Sequence, residues 1–416
     1  MSRTADKQWA IQGRWVFPGD GPPLADGVVR VAGERIVAVS TARTEHADLD
    51  LGNVAILPGL VNAHTHLDLG GMRDQAPPSK DFVGWLRRVI AHRRSVASEQ
   101  IARAVETGLA ECLDTGTTLV GDVAGGGASW PVLAKAACRS VVFYEVLGLS
   151  TERIHPASEA GAEWLRTHPR LPHCRPAVSP HAPYSTHRAL FTEAAQLAQK
   201  YDAVLATHLA ESREEFALLA DRSGPFREFL EQLGVWNPDG LVSSPLDVLR
   251  ICQGRCRSLV LVHCNYLPPE TPFPPETTVI YCPRTHAAFG HSTHPFRELL
   301  SRGTRVALGT DSLASNPDLD ILAEARFVHA LYPDVSGSQL LRAITLSGAE
   351  ALGWADECGS ITPGKSADLA VLPLPDRESS DPYSLVFDSS ERIAKSLWRG
   401  EWRTICSLPS EHADRS

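Results

Sequence analysis

Nowhere in the 416 residues does an uninterrupted apolar run approach the about 18 positions needed to cross a bilayer, so no membrane-spanning helix is expected. The opening stretch MSRTADKQWAIQG lacks the apolar core of a secretion signal, and the default expectation for location is the cytoplasm. A concentrated block of Lys and Arg is also missing. The formal net charge is -9, and Arg255, Arg257, Arg302 and Arg305 are scattered among acidic or neutral residues. Nucleic-acid binding is not expected, because recognition of a phosphate backbone needs a concentrated positive surface.

Cysteine is present without a pattern. There are nine, an odd number at irregular spacings and several inside apolar runs, which reads as small buried hydrophobes in a reducing compartment. Cys252 and Cys256 have the spacing of a zinc half-site, but no second pair completes it. The GxGxxG arrangement is absent; GGG at 125–127 follows VGDVA without it, which argues against a Rossmann-type dehydrogenase. No repeat or low-complexity tract is found, and PPETPFPPE at 268–276 reads as a rigid connection.

What remains is an ordinary globular composition, 43% hydrophobic and 21% charged, with 31 Gly and 30 Pro marking many tight connections. The length suits one barrel of about 300 residues plus a smaller unit. From Trp9 to about Leu57, β-branched runs alternate with turn signals too closely for long helices, giving an N-terminal sheet unit expected over 1–57.

The pattern then changes to amphipathic stretches such as SEQIARAVETGLAECLDTG alternating with short apolar runs that read as buried parallel strands. The expected strands are Ala55–Leu57 with Leu60–Ala63, Thr117–Val123, Val141–Leu147, Arg175–Ser179, Ala203–Thr207, Leu259–Val262, Thr278–Cys282 and Arg305–Leu308. Eight such runs with helical text between most of them predict an α/β fold, a (β/α)8 TIM barrel over 58–355, although an open doubly wound sheet has a similar rhythm. Strand-like text returns in GSITPGKSADLAVLPL and SLWRGEWRTICSL. The segment 356–416 is therefore expected to join the N-terminal strands in a small β-sandwich built from both chain ends.

The chemistry concentrates at strand ends. His64 and His66 follow VAILPGLVNA, and in an extended segment positions i and i+2 face the same side, so both imidazoles can reach one ion. Among 16 His, one such pair arises easily by chance. However, His208 lies just beyond the fifth strand with Glu211 three residues on, His263 beyond the sixth and Asp311 beyond the eighth. Each alone reads equally as a capping or hydrogen-bonded core group, as does Asp122. Together they would be costly to bury unpaired, and the open mouth of a barrel is where one ion satisfies them all.

PGLVNAHTHLDL, SPHAPYS, HLAES, VHCN and ALGTDSLASN resemble the amidohydrolase superfamily, in its branch of mononuclear-metal aminohydrolases and chlorohydrolases. That branch includes S-adenosylhomocysteine, guanine and triazine-type deaminases. The resemblance runs from about residue 50 to 375 and implies His64, His66, His208 and Asp311 as metal ligands, with His263 orienting the attacking water or substrate. AVSPHAPYS has no Lys where binuclear relatives carry a bridging one, so a single ion is implied. One divalent ion is expected, zinc first, with iron or manganese as alternatives. Such an ion brings the pKa of a water toward neutrality.

On this reading Asp311 accepts the water's proton, Glu211 protonates the ring nitrogen and later the departing amine, and His263 stabilises the new oxygen. Deamination of an N-heterocycle with release of ammonia is the implied reaction. YCPRTHAAFGHSTHP, HAPYS and TDSLASN are similar to a subgroup with aminofutalosine deaminases, which act on an adenine nucleoside.

Trp85, His181, Arg284 and His286 are the expected substrate contacts; Arg87 and Arg88 are further candidates for an anionic substrate group. His286, His291 and His294 together look like a second metal cluster, but the resemblance supplies no second ion, and bracing the pocket is their expected role. A small-molecule substrate is the expected partner, and relatives often form homo-oligomers. Hydrolysis of a cyclic amide, a ureide or a chlorinated ring at the same site is the rival within enzymes. A metal-containing binding protein without catalysis is the rival of another class, and the joint presence of all four expected ligands with Glu211 speaks against it.

Overall fold

A computed structural model describes residues 8–403. Five strands open the chain: β1 (Gln8–Val16), β2 (Leu24–Ala32), β3 (Arg35–Thr41), β4 (Leu49–Asp50) and β5 (Val54–Pro58). Eight parallel strands follow: β6 (Leu60–Thr65), β7 (Thr117–Ala124), β8 (Arg139–Val146), β9 (Cys174–Pro180), β10 (Val204–Leu209), β11 (Ser258–His263), β12 (Thr277–Tyr281) and β13 (Val306–Leu308). The last strands are β14 (Leu369–Pro373), β15 (Lys395–Trp398) and β16 (Glu401–Arg403).

Strands β6 to β13 lie side by side in chain order without a crossover. A parallel bridge between Thr65 and Asp311 brings the first strand against the loop after the last, so the sheet curls into a nearly closed (β/α)8 barrel. A doubly wound sheet would reverse its strand order at a switch point, and none occurs. Where the first and last strands meet, a Cβ on Gly309 would stand 2.8 Å from the carbonyl oxygen of His64, so only glycine lets the two backbones approach.

The sequence predicts Ala55–Leu57 as part of the first barrel strand, and the structure corrects this. Those residues pair in β5 with β14 and β1, across the Pro58-Gly59 break from β6. The sheet of the chain ends runs β16-β15-β14-β5-β1-β2-β3, with β4 also on β1. It forms the expected small sandwich around Ile11, Val29, Val31, Ile56 and Leu397. Cys406 and the end of SLWRGEWRTICSL lie outside the described residues. The eight described cysteines are unpaired, and all but Cys256 are buried, as their apolar surroundings imply.

Alternation within the barrel decides what reaches its mouth. Val204 and Ala206 fill the barrel interior, as do Val141 and Phe143, and Ala177. Leu205, Val142 and Val178 instead pack outward against the helices. With a period of two, His208, Glu145 and His181 continue the inward faces of β10, β8 and β9 at their C-terminal ends. Among the described residues, no helix is long and apolar enough to cross a membrane.

Candidate active site

His64 is one of the last two residues of β6 and His66 directly follows it, where the ladder to β7 is irregular between Asn62 and Thr65. His208 comes from β10. The ligating nitrogens of these three buried histidines all lie within 4.8 Å of one another. Burial and the neighbouring His64 push His66 down to about 3. Burial, with His181 and His64 beside it, takes His208 well below the ordinary histidine value. His66 and His208, held neutral in this way, offer lone pairs.

The polar atoms of the cluster show what it is built to hold. His208 Nδ1 donates to the His181 carbonyl at 3.0 Å, which leaves Nε2 of a neutral ring as an acceptor. That Nε2 stands 3.2 Å from Nε2 of His66. His64 Nε2 is buried without any hydrogen-bond partner, a costly state for a polar atom. Asp311 Oδ1 lies 3.7 Å from His64 Nε2 and 3.8 Å from His66 Nε2. Although burial raises the Asp311 carboxyl, the surrounding histidines outweigh it and keep the group ionised. Three imidazole nitrogens within 4.8 Å of one another, with a carboxylate oxygen within 3.8 Å of two of them, fit a divalent cation.

Backbone conformation carries the site as much as side-chain type. Asp311 has φ of 57°, and its carbonyl accepts from Thr65 Oγ1 at 2.9 Å. His263 has φ of 70°, which ends the alternation of β11; its ring faces His64 and His208. Non-glycine residues held at positive φ are strained and cluster at functional sites.

Glu211 Oε1 lies 3.2 Å from His263 Nε2. Burial, reinforced by Asp311 and Glu215, raises the Glu211 carboxyl well above the usual range. Burial also takes His263 down to about 3, with the neighbouring His64, His291 and His286 acting in the same direction.

These groups line a cavity of about 490 Å3 with Trp85, His181, Tyr184 and Arg93. Trp85 Nε1 donates to the carbonyls of Ala76 and Ala314, so its ring is fixed as a wall. His181 is in the lining. Arg284 is not in the lining: its guanidinium is held by Asp318 at 2.6 Å and Glu324 at 2.7 Å, a correction to the expected substrate contact. Its charge is spent on two carboxylates that no local pattern announces.

His286 is likewise outside the lining, edge-on to Tyr281 and His294 and tilted against His291. His294 braces the site instead, with Nε2 donating to the His263 carbonyl at 2.8 Å. Arg87 lies over the Phe229 ring and Arg88 donates to the Pro77 carbonyl; it is Arg93, Arg94 and Arg153 that line the cavity.

Several supporting residues were missed. Fully buried Glu215 accepts from the backbone N–H of Ala210 at 2.9 Å and of Glu211 at 3.1 Å, holding the turn that presents Glu211. Its signal was legible, since Ser212-x-x-Glu215 is a helix-start signature. Ser315 donates to Asp311, and Asn62 exchanges two hydrogen bonds with Thr310; neither has a sequence signal.

A barrel with a buried histidine triad at its mouth, beside an acid and a cavity, defines a metal-dependent hydrolase. The family model described as "Amidohydrolase family" matches residues 55–401, and the chain belongs to that family. An aminodeoxyfutalosine deaminase of Nitratiruptor sp. is 28% identical over 351 residues, 80% of this chain and 82% of that one. A 5-methylthioadenosine/S-adenosylhomocysteine deaminase of Nitratidesulfovibrio vulgaris is 30% identical over 371 residues, 84% of this chain and 78% of that one. Among solved structures, Helicobacter pylori aminofutalosine deaminase in complex with methylthio-coformycin has a TM-score of 0.84 at 23% identity, covering 95% of this chain and 100% of that one. An adenosine deaminase from Xanthomonas campestris with bound zinc has a TM-score of 0.76 at 26% identity, covering 94% and 92%.

Proposed function

We propose that this chain is an aminohydrolase that replaces the amino group of an adenine-type nucleoside with oxygen and releases ammonia. The observation that carries the reading is Glu211: a buried carboxyl whose neutral form is favoured, 3.2 Å from His263 Nε2 and three residues beyond a histidine of the triad. A proton donor in that place suits a ring nitrogen beside the attacked carbon.

His64, His66, His208 and Asp311 would hold the ion, which we take to be zinc, because imidazole nitrogens and one carboxylate suit a borderline cation. When bound, a divalent ion makes a water nucleophilic at neutral pH. Asp311 accepts the proton that this water gives up. Glu211 protonates the ring nitrogen as the carbon–oxygen bond forms, and His263 Nε2 hydrogen-bonds the new oxygen. The proton on Asp311 then passes to the amine, the hydroxyl on the attacked carbon returns a proton to Glu211 as the carbon–nitrogen bond breaks, and a keto-type ring and ammonia result.

Relatives named for aminodeoxyfutalosine and for methylthioadenosine and S-adenosylhomocysteine support an adenine nucleoside as substrate. An apolar wall of Leu86, Ile90, Leu147, Phe229 and Leu233 gives room for a large substituent on the sugar, as aminofutalosine carries. The test is ammonia release from aminated purines, pyrimidines and nucleosides, with zinc and with ferrous iron. Glu211→Gln should keep its metal and lose about 10^2-fold or more in turnover; near-normal turnover would remove Glu211 from the scheme.

A further inference from the structure

Glu145 is the third residue of the inward-facing series Val141, Phe143, Glu145 on β8, and the scheme above gives it no task. It is 5% exposed, yet it lines the cavity beside His66 and His181. Arg93 holds one of its oxygens: Nη1 donates to Oε2 at 2.6 Å, while Nη2 of the same guanidinium pairs with Asp68 at 3.2 Å. The other oxygen, Oε1, has no hydrogen-bond partner. Paired with the Arg93 guanidinium through Oε2, the carboxyl is held in its ionised form. An ionised carboxylate is an acceptor only, and a buried one left half-satisfied is costly. In a cavity wall, the missing donor is supplied by what enters the cavity.

The neighbour of Oε1 narrows the choice of donor. His181 Nε2 lies 3.7 Å away, too far for a direct hydrogen bond. His181 Nδ1 lies 2.6 Å from Ser185 Oγ, which in turn is 3.2 Å from the Ala182 carbonyl. If Ser185 gives its one proton to that carbonyl, Nδ1 carries a proton and Nε2 is an acceptor; if Ser185 gives it to Nδ1, Nε2 is a donor. A hydroxyl suits both cases, because it donates to Oε1 and either accepts from Nε2 or presents an adjacent hydroxyl to it. An N–H group can only donate.

We propose that Glu145 and His181 form a subsite for a substrate hydroxyl of the kind a nucleoside sugar carries, with Arg93 as the positioning residue that keeps the free oxygen turned into the cavity. The proposal rests on the nucleoside reading above. It makes Glu145 a specificity residue that recognises the sugar while Glu211 acts on the base.

The test compares hydroxylated and deoxy ligands on the metal-loaded chain. Binding of inosine, 2′-deoxyinosine and 3′-deoxyinosine is measured by calorimetry, and kcat/KM is measured for the corresponding adenosines. Loss of the recognised hydroxyl should weaken wild-type binding about 10-fold or more. Glu145→Gln should narrow that preference to within about threefold, with its effect falling on KM more than on kcat. Glu145→Asp, which keeps the charge but retracts the oxygen, should narrow it as well.

If wild type binds inosine and both deoxy forms equally, the subsite is overturned without recourse to any variant. It is also overturned if the variants weaken all three ligands alike, as a purely structural role would require. Absence of ammonia from every nucleoside would defeat the deaminase reading instead, and the inosine series would still decide the subsite.

Discussion

Ser315 Oγ donates to Oδ2 of Asp311 at 3.0 Å, so the other oxygen, Oδ1, is the one turned toward His64 and His66. Ser315 thereby sets the angle at which the carboxylate meets the histidine triad, while Thr65 anchors the same residue through its carbonyl.

Removing that hydroxyl should be felt at the metal. Ser315→Ala is expected to lower the affinity for zinc about 10- to 100-fold, the usual effect of losing a group that orients a ligand. Competition with a chromophoric chelator measures it. Unchanged affinity would mean that Asp311 does not depend on Ser315 for its orientation, or does not bind the ion.

Glu215 predicts a pH dependence of stability. Burial raises its carboxyl from 4.5 to about 7, against the two backbone N–H groups it accepts from. Between those values the folded chain keeps a proton that the unfolded chain releases. The contribution of this group is therefore fully present below 4.5 and is lost as pH rises through 7. Glu215→Gln does not titrate. The melting temperature of wild type relative to this variant should fall between pH 5 and pH 7.5, as read by calorimetry at both values. A constant difference would show that Glu215 has the same pKa folded and unfolded.

Arg284 should behave as a structural residue. Its partner Glu324 has no exposed surface and also accepts from Asn316. Arg284→Gln leaves that carboxylate buried without its cation, which should cost about 3 kcal/mol of stability in chemical denaturation. Any loss of turnover should be alike for substrates with and without an anionic group. A loss confined to anionic substrates would return Arg284 to the cavity.

The eight barrel strands were legible because each is a short apolar run buried on both faces, bounded by turns and separated by amphipathic text. His64, His66, His208, His263, Glu211 and Asp311 were legible because polar groups of those types at the ends of apolar strands conflict with burial unless something shared satisfies them. Ala55–Leu57 was misplaced because an apolar run carries no mark of which sheet it pairs with.

Glu145 was passed over because alone it is one more acid in a strand, and its meaning depends on Arg93, 52 positions away. Arg284 failed for the matching reason, since Asp318 and Glu324 claim it from 34 and 40 positions away.

From the chain alone, then, came the kinds of group at each strand end and the alternation that turns His208 inward, since both follow from spacing along an extended backbone. Closure of the barrel decided which ends are neighbours, which oxygen of Asp311 faces the histidines and which arginines line the cavity. Those outcomes are set by distances through space between residues far apart in the chain, where hydrogen bonds and ion pairs act and sequence separation has no bearing.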